Sequence, residues 1–494
     1  MQTSIYDTSP GNLNFGGGSQ DTVIHPAVAV ALAALVVLIL FRPRKSLLAP
    51  LFLFLFLVPS GQQFFLLGVH FYCSRILVLA GGARIMWDRF SHSGNVLAGG
   101  FNIVDGVFTT WALYRAMAGS LLFMQSAAVI NQVGFLWDAL GMYFLLRFLI
   151  QDQEDIERIF KVYAVLAFVI AAEMVREHYT NQDLFGAILG GTRATLEVRN
   201  GLIRAQGVFQ HSLIAGSFGA ALFPLFVWLW KGGRAKMLAL VGMVSSVTIA
   251  LTASVSTPIL ALAGGIAAVI AWPVRSYMRY VKYVVVVALV GLNVVMKAPV
   301  WFLIARIDLV GGSTSYHRAA LIDAFIRHVS DWWLIGTNDN ANWGWDMWDT
   351  ANQYVAEGER GGMLVFICFL ALIWLSFRHL SKARNAEGVD RKQQWFYWLL
   401  GASLFSTCVA YFGVDYYDQS RFGWYALLAM IIAATSPILS AKPAEEAAVN
   451  SELLDPPLAR AYRAPAPQSA RNLPYERPRP LKSGPSYSRK LEKT

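Results

Sequence analysis

Apolar runs follow one another along most of the chain, at about 25–41, 47–60, 63–82, 106–124, 129–150, 159–176, 212–230, 237–253, 256–273, 281–298, 362–377, 395–413 and 421–439. A hydrocarbon core about 30 Å thick takes roughly 20 residues of helix to cross. Inside it no water pairs with backbone N–H and C=O groups, so helices are the expected spanning element. With 56% hydrophobic and only 15% charged residues in 494, an ordinary soluble domain could not bury so much apolar surface. The reading is therefore an all-α, polytopic transmembrane bundle of about 12–13 spans. The lower number applies if the run at 47–60, short and holding Pro50 and Pro59, does not cross.

The net charge of +10 raises nucleic acid as a partner, and its distribution argues against one. Lys and Arg gather just after apolar runs and in the C-terminal tail, as orientation signals do. Residues 1–24 are polar and contain no Lys or Arg, whereas Arg42, Arg44 and Lys45 follow the first run. This reads as an outer N-terminal tail without a cleavable signal. Alternation over thirteen spans then leaves the C-terminus in the cytoplasm. Residues 25–298 form the first set of spans, with an outer loop at 177–211. A large outer loop at 299–361 precedes further spans at 362–439, and 440–494 is a basic, Pro-rich tail expected to be disordered and cytoplasmic. Cys73, Cys368 and Cys408 all lie in apolar runs, so no loop disulfide or cysteine metal site is expected. Arg75 and Arg115 fall at membrane depth, where burial of a charge demands a partner or a polar cavity; pairing within the structure is the expected arrangement.

The 299–361 loop is rich in Trp and apolar residues, which argues for order. Ser313, Thr314 and Ser315 can cap a helix whose stripe is Leu321, Ile322, Phe325, Ile326 and Val329. His317 and Arg318 occupy its first turn, where free N–H groups and a guanidinium favour an anion. An amphipathic helix on the bilayer surface with Arg318 snorkelling is the equal alternative. The other outer loop brings Arg204 and His211 to the membrane surface. Two arginines with nearby hydroxyl, amide and carboxylate groups suit a lipid-linked phosphate.

An Arg-x-x-Gly segment at Arg204, a Ser-x-x-Arg helix start at Ser315–Arg318 leading to Trp332-Trp333-Leu-Ile-Gly, and an Asn352-x-Tyr354…Glu359-x-x-Gly element occur in that order. Over residues 160–440 this resembles the O-antigen ligase and polysaccharide polymerase family of bacterial membrane glycosyltransferases. The resemblance implies a GT-C-like enzyme of the inner membrane, acting without cofactor on oligosaccharide carried by undecaprenyl pyrophosphate. It implies that Arg204 and Arg318 hold the pyrophosphate. Fixed guanidinium groups can stabilise the charge that develops on such a leaving group without a metal, and no Asp-x-Asp motif occurs in either outer loop. Ligases of the family carry His where this chain has Ala351, which favours polymerisation of repeat units over transfer of a finished glycan.

Candidate bases are His211, His328, Glu357 and Glu359. Candidate substrate contacts are His317, Asn352, Tyr354, Trp332, Trp333 and Asp415. Blander roles stand beside these: Glu357, Glu359 and Arg360 as a solvated cap before a span, His211 as a satisfied helix-start residue, and Trp332, Trp333, Trp343, Trp345 and Trp348 as an interfacial belt. A glycan ligase, a flippase of lipid-linked sugar and a non-catalytic subunit are the competing functions. Membrane lipids and partner proteins for polysaccharide export or chain-length control are the further expected partners.

Overall fold

A computed structural model describes residues 22–66, 69–91, 96–190, 196–232, 235–307 and 315–454. The candidate caps Ser313 and Thr314, most of the N-terminal tail and residues 455–494 lie outside the described residues. The chain divides into units 1–441 and 442–494, and the core lies in the first.

The structure is all-α apart from two short antiparallel hairpins. Helices α1 (Pro26–Phe41) and α2 (Leu48–Leu57) lead to hairpin β1–β2 (Gln63–Leu66, Val69–Tyr72). There follow α3 (Cys73–Ser91), α4 (Ile103–Phe123), α5 (Ser126–Leu136), α6 (Met142–Leu149) and α7 (Gln153–Thr180). After α8 (Leu184–Leu189) comes hairpin β3–β4 (Glu197–Arg199, Leu202–Arg204), then α9 (Ser212–Lys231), α10 (Lys236–Thr252), α11 (Ser256–Ile270) and α12 (Met278–Val295). The large loop folds into α13 (Ser315–Arg327) and α14 (Val329–Trp332). Helices α15 (Gln353–Arg384), α16 (Arg391–Ala410) and α17 (Ser420–Leu454) complete the order, so helix continues past residue 440, where the sequence reading starts the tail.

Among the described residues five helical stretches are long and apolar enough to cross a membrane: Ser126–Leu149, Ser212–Lys231, Trp272–Val295, Gln353–Arg384 and Ser420–Leu439. Three further apolar helices, α1, α10 and α11, have 16, 17 and 15 residues. The remaining apolar runs fall in helices that are shorter or more polar, except that the run at 63–82 opens as the β1–β2 hairpin and becomes helix only at Cys73.

The centre is built around α9, which packs on α10, α11 and α16. Its sequence explains the fit. Gly216 faces Pro258 and Ala253, and Gly219 faces Ile249, each at a distance that leaves no room for a Cβ. Small residues let helix backbones approach closely where apolar attraction alone cannot select a partner.

Several charges inside the bundle are paired. Arg147 Nε donates to Asp105 Oδ1 at 2.9 Å, with both side chains fully buried, and the Tyr143 hydroxyl donates to the same oxygen at 2.7 Å. Arg75 meets Asp138 at 3.2 Å, Asp138 being set on a π-helical turn at Trp137–Gly141 between α5 and α6. Arg115 on α4 meets Glu357 on α15 at 3.2 Å, across one of the main helix contacts of the fold.

Candidate functional site

The segment Glu197-Val-Arg199-Asn200-Gly201-Leu202-Ile-Arg204 forms a hairpin because Asn200 and Gly201 both take positive φ, 52° and 77°. That is the two-residue turn whose twist matches paired strands. The register sets Glu197 opposite Arg204 and Arg199 opposite Leu202. Alternation then puts Glu197, Arg199 and Arg204 on one face. Arg204 Nη1 donates to Glu197 Oε1 at 2.9 Å, and His211 Nε2 lies 3.7 Å from Glu197 Oε2.

Backbone contacts fix the chain just beyond the hairpin. Ala205 N donates to Thr252 O at 3.3 Å, and Gln206 N and Gly207 N donate to Glu177 Oε2 at 2.8 and 2.9 Å. His211 caps α9, its Nδ1 accepting from Leu213 N at 3.1 Å. In a neutral ring that acceptor role places the proton on Nε2, so the nitrogen beside Glu197 is a donor, unsuited to taking a proton.

Arg318 comes to the same cluster from α13. It shares the buried face of that helix with Ser315, Ala319, Leu321 and Phe325 and is 6% exposed, so it does not snorkel. Its Nε is buried with no hydrogen-bond partner among the described residues. Burial holds its pKa down to about 10; Asp349 opposes the shift, and the positive charges of Arg204 and Arg199 add to it. The guanidinium groups of Arg204 and Arg199 thus act on Arg318, which is desolvated and has an Nε without a partner. An anion placed among them would relieve both defects.

The rest of the large loop is a small folded layer. Trp332 stacks on Phe325 with ring centroids 3.9 Å apart and donates through Nε1 to Phe325 O at 2.8 Å. It is 2% exposed, so it has no face for a sugar ring, against the expectation from sequence. Trp343 is also buried, while Trp333, Trp345 and Trp348 are exposed. The Trp-Trp-Leu-Ile-Gly turn docks on the end of the first segment of α15. Thr337 N donates to Glu359 O and Met363 N to Trp333 O, each at 2.8 Å. The helix breaks at Gly362, whose φ of 74° and close approach to the Leu334 carbonyl admit no side chain. The loop boundary read at 361 falls on this break, although residues 353–361 are already helical.

The carboxylates read as candidate bases are engaged. Glu357, 1% exposed, accepts from Trp111 Nε1 at 2.8 Å, Arg115 Nη1 at 3.2 Å and Gln353 Nε2 at 2.6 Å. Glu359 accepts from Thr350 Oγ1 at 2.6 Å and Asn340 Nδ2 at 3.1 Å. Neither is a solvated cap. Asp415 forms a two-pronged ion pair with Arg360. Asn352 caps α15, accepting from Tyr354 N at 2.9 Å and Val355 N at 3.2 Å. Tyr354 donates its hydroxyl to Cys408 O at 3.0 Å. His317 Nε2 lies 2.7 Å from Asp346 O, and His328 Nδ1 lies 2.9 Å from Ala324 O.

Of the sequence candidates, then, Arg204 and His211 both approach Glu197, Arg318 feels the charge of Arg204, and the α15 residues serve as framework. Arg199, Glu197 and Asp349 join them without having been singled out. The signal for the first two was Asn-Gly between alternating residues, a strong hairpin marker.

A cavity of about 340 Å³ is lined by Gln210, Asp418, Gln419, Arg421, Asn131 and the Arg75–Asp138 pair, among others. Asp418 accepts from Gln210 N and Ser420 N, each at 3.1 Å. Burial raises its pKa to about 6, against the lowering effect of those amides and of Arg421. Comparison with known proteins finds no protein-family model and no curated protein sequence that matches this chain.

Proposed function

We propose that the chain is a membrane glycosyltransferase that polymerises oligosaccharide repeat units carried on undecaprenyl pyrophosphate at the outer face of a bacterial inner membrane. The observation that carries this reading is Arg318, buried with an unpartnered Nε and acted on by the charges of Arg204 and Arg199. Such a cluster is costly unless an anion of high charge density completes it. A pyrophosphate supplies that charge and many acceptor oxygens.

In this reading Arg318, Arg204 and Arg199 hold the diphosphate and stabilise the charge that grows on it as the sugar–phosphate bond breaks. Glu197 orients Arg204, and His211 donates from Nε2. The acceptor sugar enters the polar cavity beyond Gln210, whose size suits a small polar ligand. Asp418 takes the proton of the incoming hydroxyl, having an affinity matched to neutral pH. The anomeric centre inverts in a single displacement.

The test uses purified full-length protein in nanodiscs with a short lipid-linked oligosaccharide. The length distribution of glycan on lipid is compared for wild type, Arg318→Ala, Arg204→Ala and Asp418→Asn. The expected result is a ladder of products for wild type and its loss, by about 10²–10³ in rate for each arginine, in folded variants. Wild type that moves the substrate across the bilayer without lengthening it would overturn the reading in favour of a flippase. Transfer of intact glycan to a second acceptor, with no ladder, would overturn polymerisation in favour of ligation.

A further inference from the structure

Three carboxylates converge where α7 ends and α8 begins. Glu173, Glu177 and Asp183 each bring one oxygen within 4.8 Å of the others, and they are 6%, 0% and 3% exposed. Some of their capacity is used. Glu173 Oε1 accepts from Arg176 Nη1 at 2.9 Å and Leu184 N at 2.8 Å. Asp183 Oδ1 caps α8 through Gly186 N at 2.9 Å. Glu177 Oε2 holds the Gln206 and Gly207 amides. Glu177 Oε1 remains, buried and without a hydrogen-bond partner.

Arg176 pairs with Glu173 at 2.9 Å, and all three carboxylates are withdrawn from water. Ionised carboxylates in such a place must acquire protons or a cation. An unpartnered carboxylate oxygen beside two other acids is the donor set of a hard divalent ion.

We propose that Glu173, Glu177 and Asp183 bind a divalent cation, with calcium preferred over magnesium. The preference comes from geometry, because magnesium demands a near-ideal octahedron of ligands. Calcium accepts the irregular geometry that one helix end and a short helix start provide.

The ion takes no part in glycosyl transfer, and its binding does not rest on that reading. Its effect is on position. Glu177 holds the two amides that directly follow Arg204-Ala205, so an ion on its other oxygen ties α7 and α8 to the root of the β3–β4 hairpin. Arg204 and Arg199 are thereby held at a fixed height above α9.

The test uses full-length protein in a non-ionic detergent, stripped with EDTA and dialysed. Bound ⁴⁵Ca²⁺ is counted by equilibrium dialysis and the unfolding temperature is followed during a calcium chloride titration. One ion per chain is expected. Its saturation to about 100 times Kd should raise the folded-to-unfolded ratio by about a hundredfold, read as a higher unfolding temperature. Glu177→Gln, which keeps an acceptor for the two amides, and Glu173→Gln should each weaken binding at least tenfold and remove the shift. If Glu177→Gln does not fold, Asp183→Asn, which keeps the α8 cap, replaces it with the same expectation. Wild type that binds no calcium, or a shift that survives in the folded variants, would overturn the site. An equal affinity for magnesium would overturn the preference.

Discussion

Glu357 offers the sharpest choice between a chemical and a structural role. It is 1% exposed and pairs with Arg115, whose side chain is 13% exposed, while Trp111 and Gln353 donate to it as well. Truncation to alanine leaves a guanidinium and two other donors facing a void. Breaking a buried ion pair from one side costs about 3–5 kcal/mol. The small opening at Arg115 lets water relieve part of this, so about 3 kcal/mol is the expected loss for Glu357→Ala. That is roughly a hundredfold in the folded-to-unfolded ratio. Glu357→Gln keeps a carbonyl oxygen and should lose about half as much. Replacing both partners, as Arg115→Met with Glu357→Leu, removes the stranded charge and should recover most of the loss. Equilibrium unfolding in mixed micelles, followed by helical circular dichroism, reads all four proteins. Chain growth should fall only as far as the folded fraction does. If Glu357→Ala lost less than about 1 kcal/mol yet abolished growth in folded protein, the framework role argued from these contacts would be refuted, and Glu357 would be an acid or base.

Two further outcomes separate framework from surface. Trp332→Ala should cost about 3–5 kcal/mol, because the ring fills the loop's own core against Phe325. The 88% exposed Trp345 should change stability by less than about 0.5 kcal/mol as alanine, measured in the same micelle assay. Asp418 sets a pH dependence: its carboxyl titrates near about 6 in the folded chain and near about 3.9 when unfolded. The folded state holds the extra proton between these values, so stability is fullest below about 4 and falls as pH rises through about 6. Asp418→Asn should flatten that slope. In wild type the rate of chain growth should rise over the same interval as the carboxylate forms.

The helical class and most of the apolar elements were legible because periodicity and run length depend on near neighbours alone. What pairs with a charge was not. Arg115 and Glu357 stand 242 positions apart, and nothing local to either names the other, so Glu357 and Glu359 read from sequence as free carboxylates near a surface. The Arg75–Asp138 pair was hidden in another way. A π-helical turn displaces Asp138 from the register that an unbroken helix across α5 and α6 would give it, and spacing arguments assume regular helix. The β3–β4 hairpin was written plainly in Asn200-Gly201 and was overshadowed by the apolar runs around it, which is why Arg199 escaped notice beside Arg204.

Arg318 carries the general lesson about charges on apolar stripes. It precedes Leu321 by three positions and Phe325 by seven, so it continues their stripe toward the start of α13. Helical spacing therefore already placed it on the face that packs inward. A guanidinium there either bends outward to water or stays and loses hydration, and the sequence alone leaves the two even. The structure decides this point: the side chain stays in, and the described residues give its Nε no acceptor. Structural pairs elsewhere in the fold, such as Arg147 with Asp105, meet the same cost with a carboxylate of their own chain. For Arg318, Asp349 offsets part of the cost, and Arg204 and Arg199 add to it. That desolvated guanidinium beside like charges is the feature on which the proposed anion binding rests.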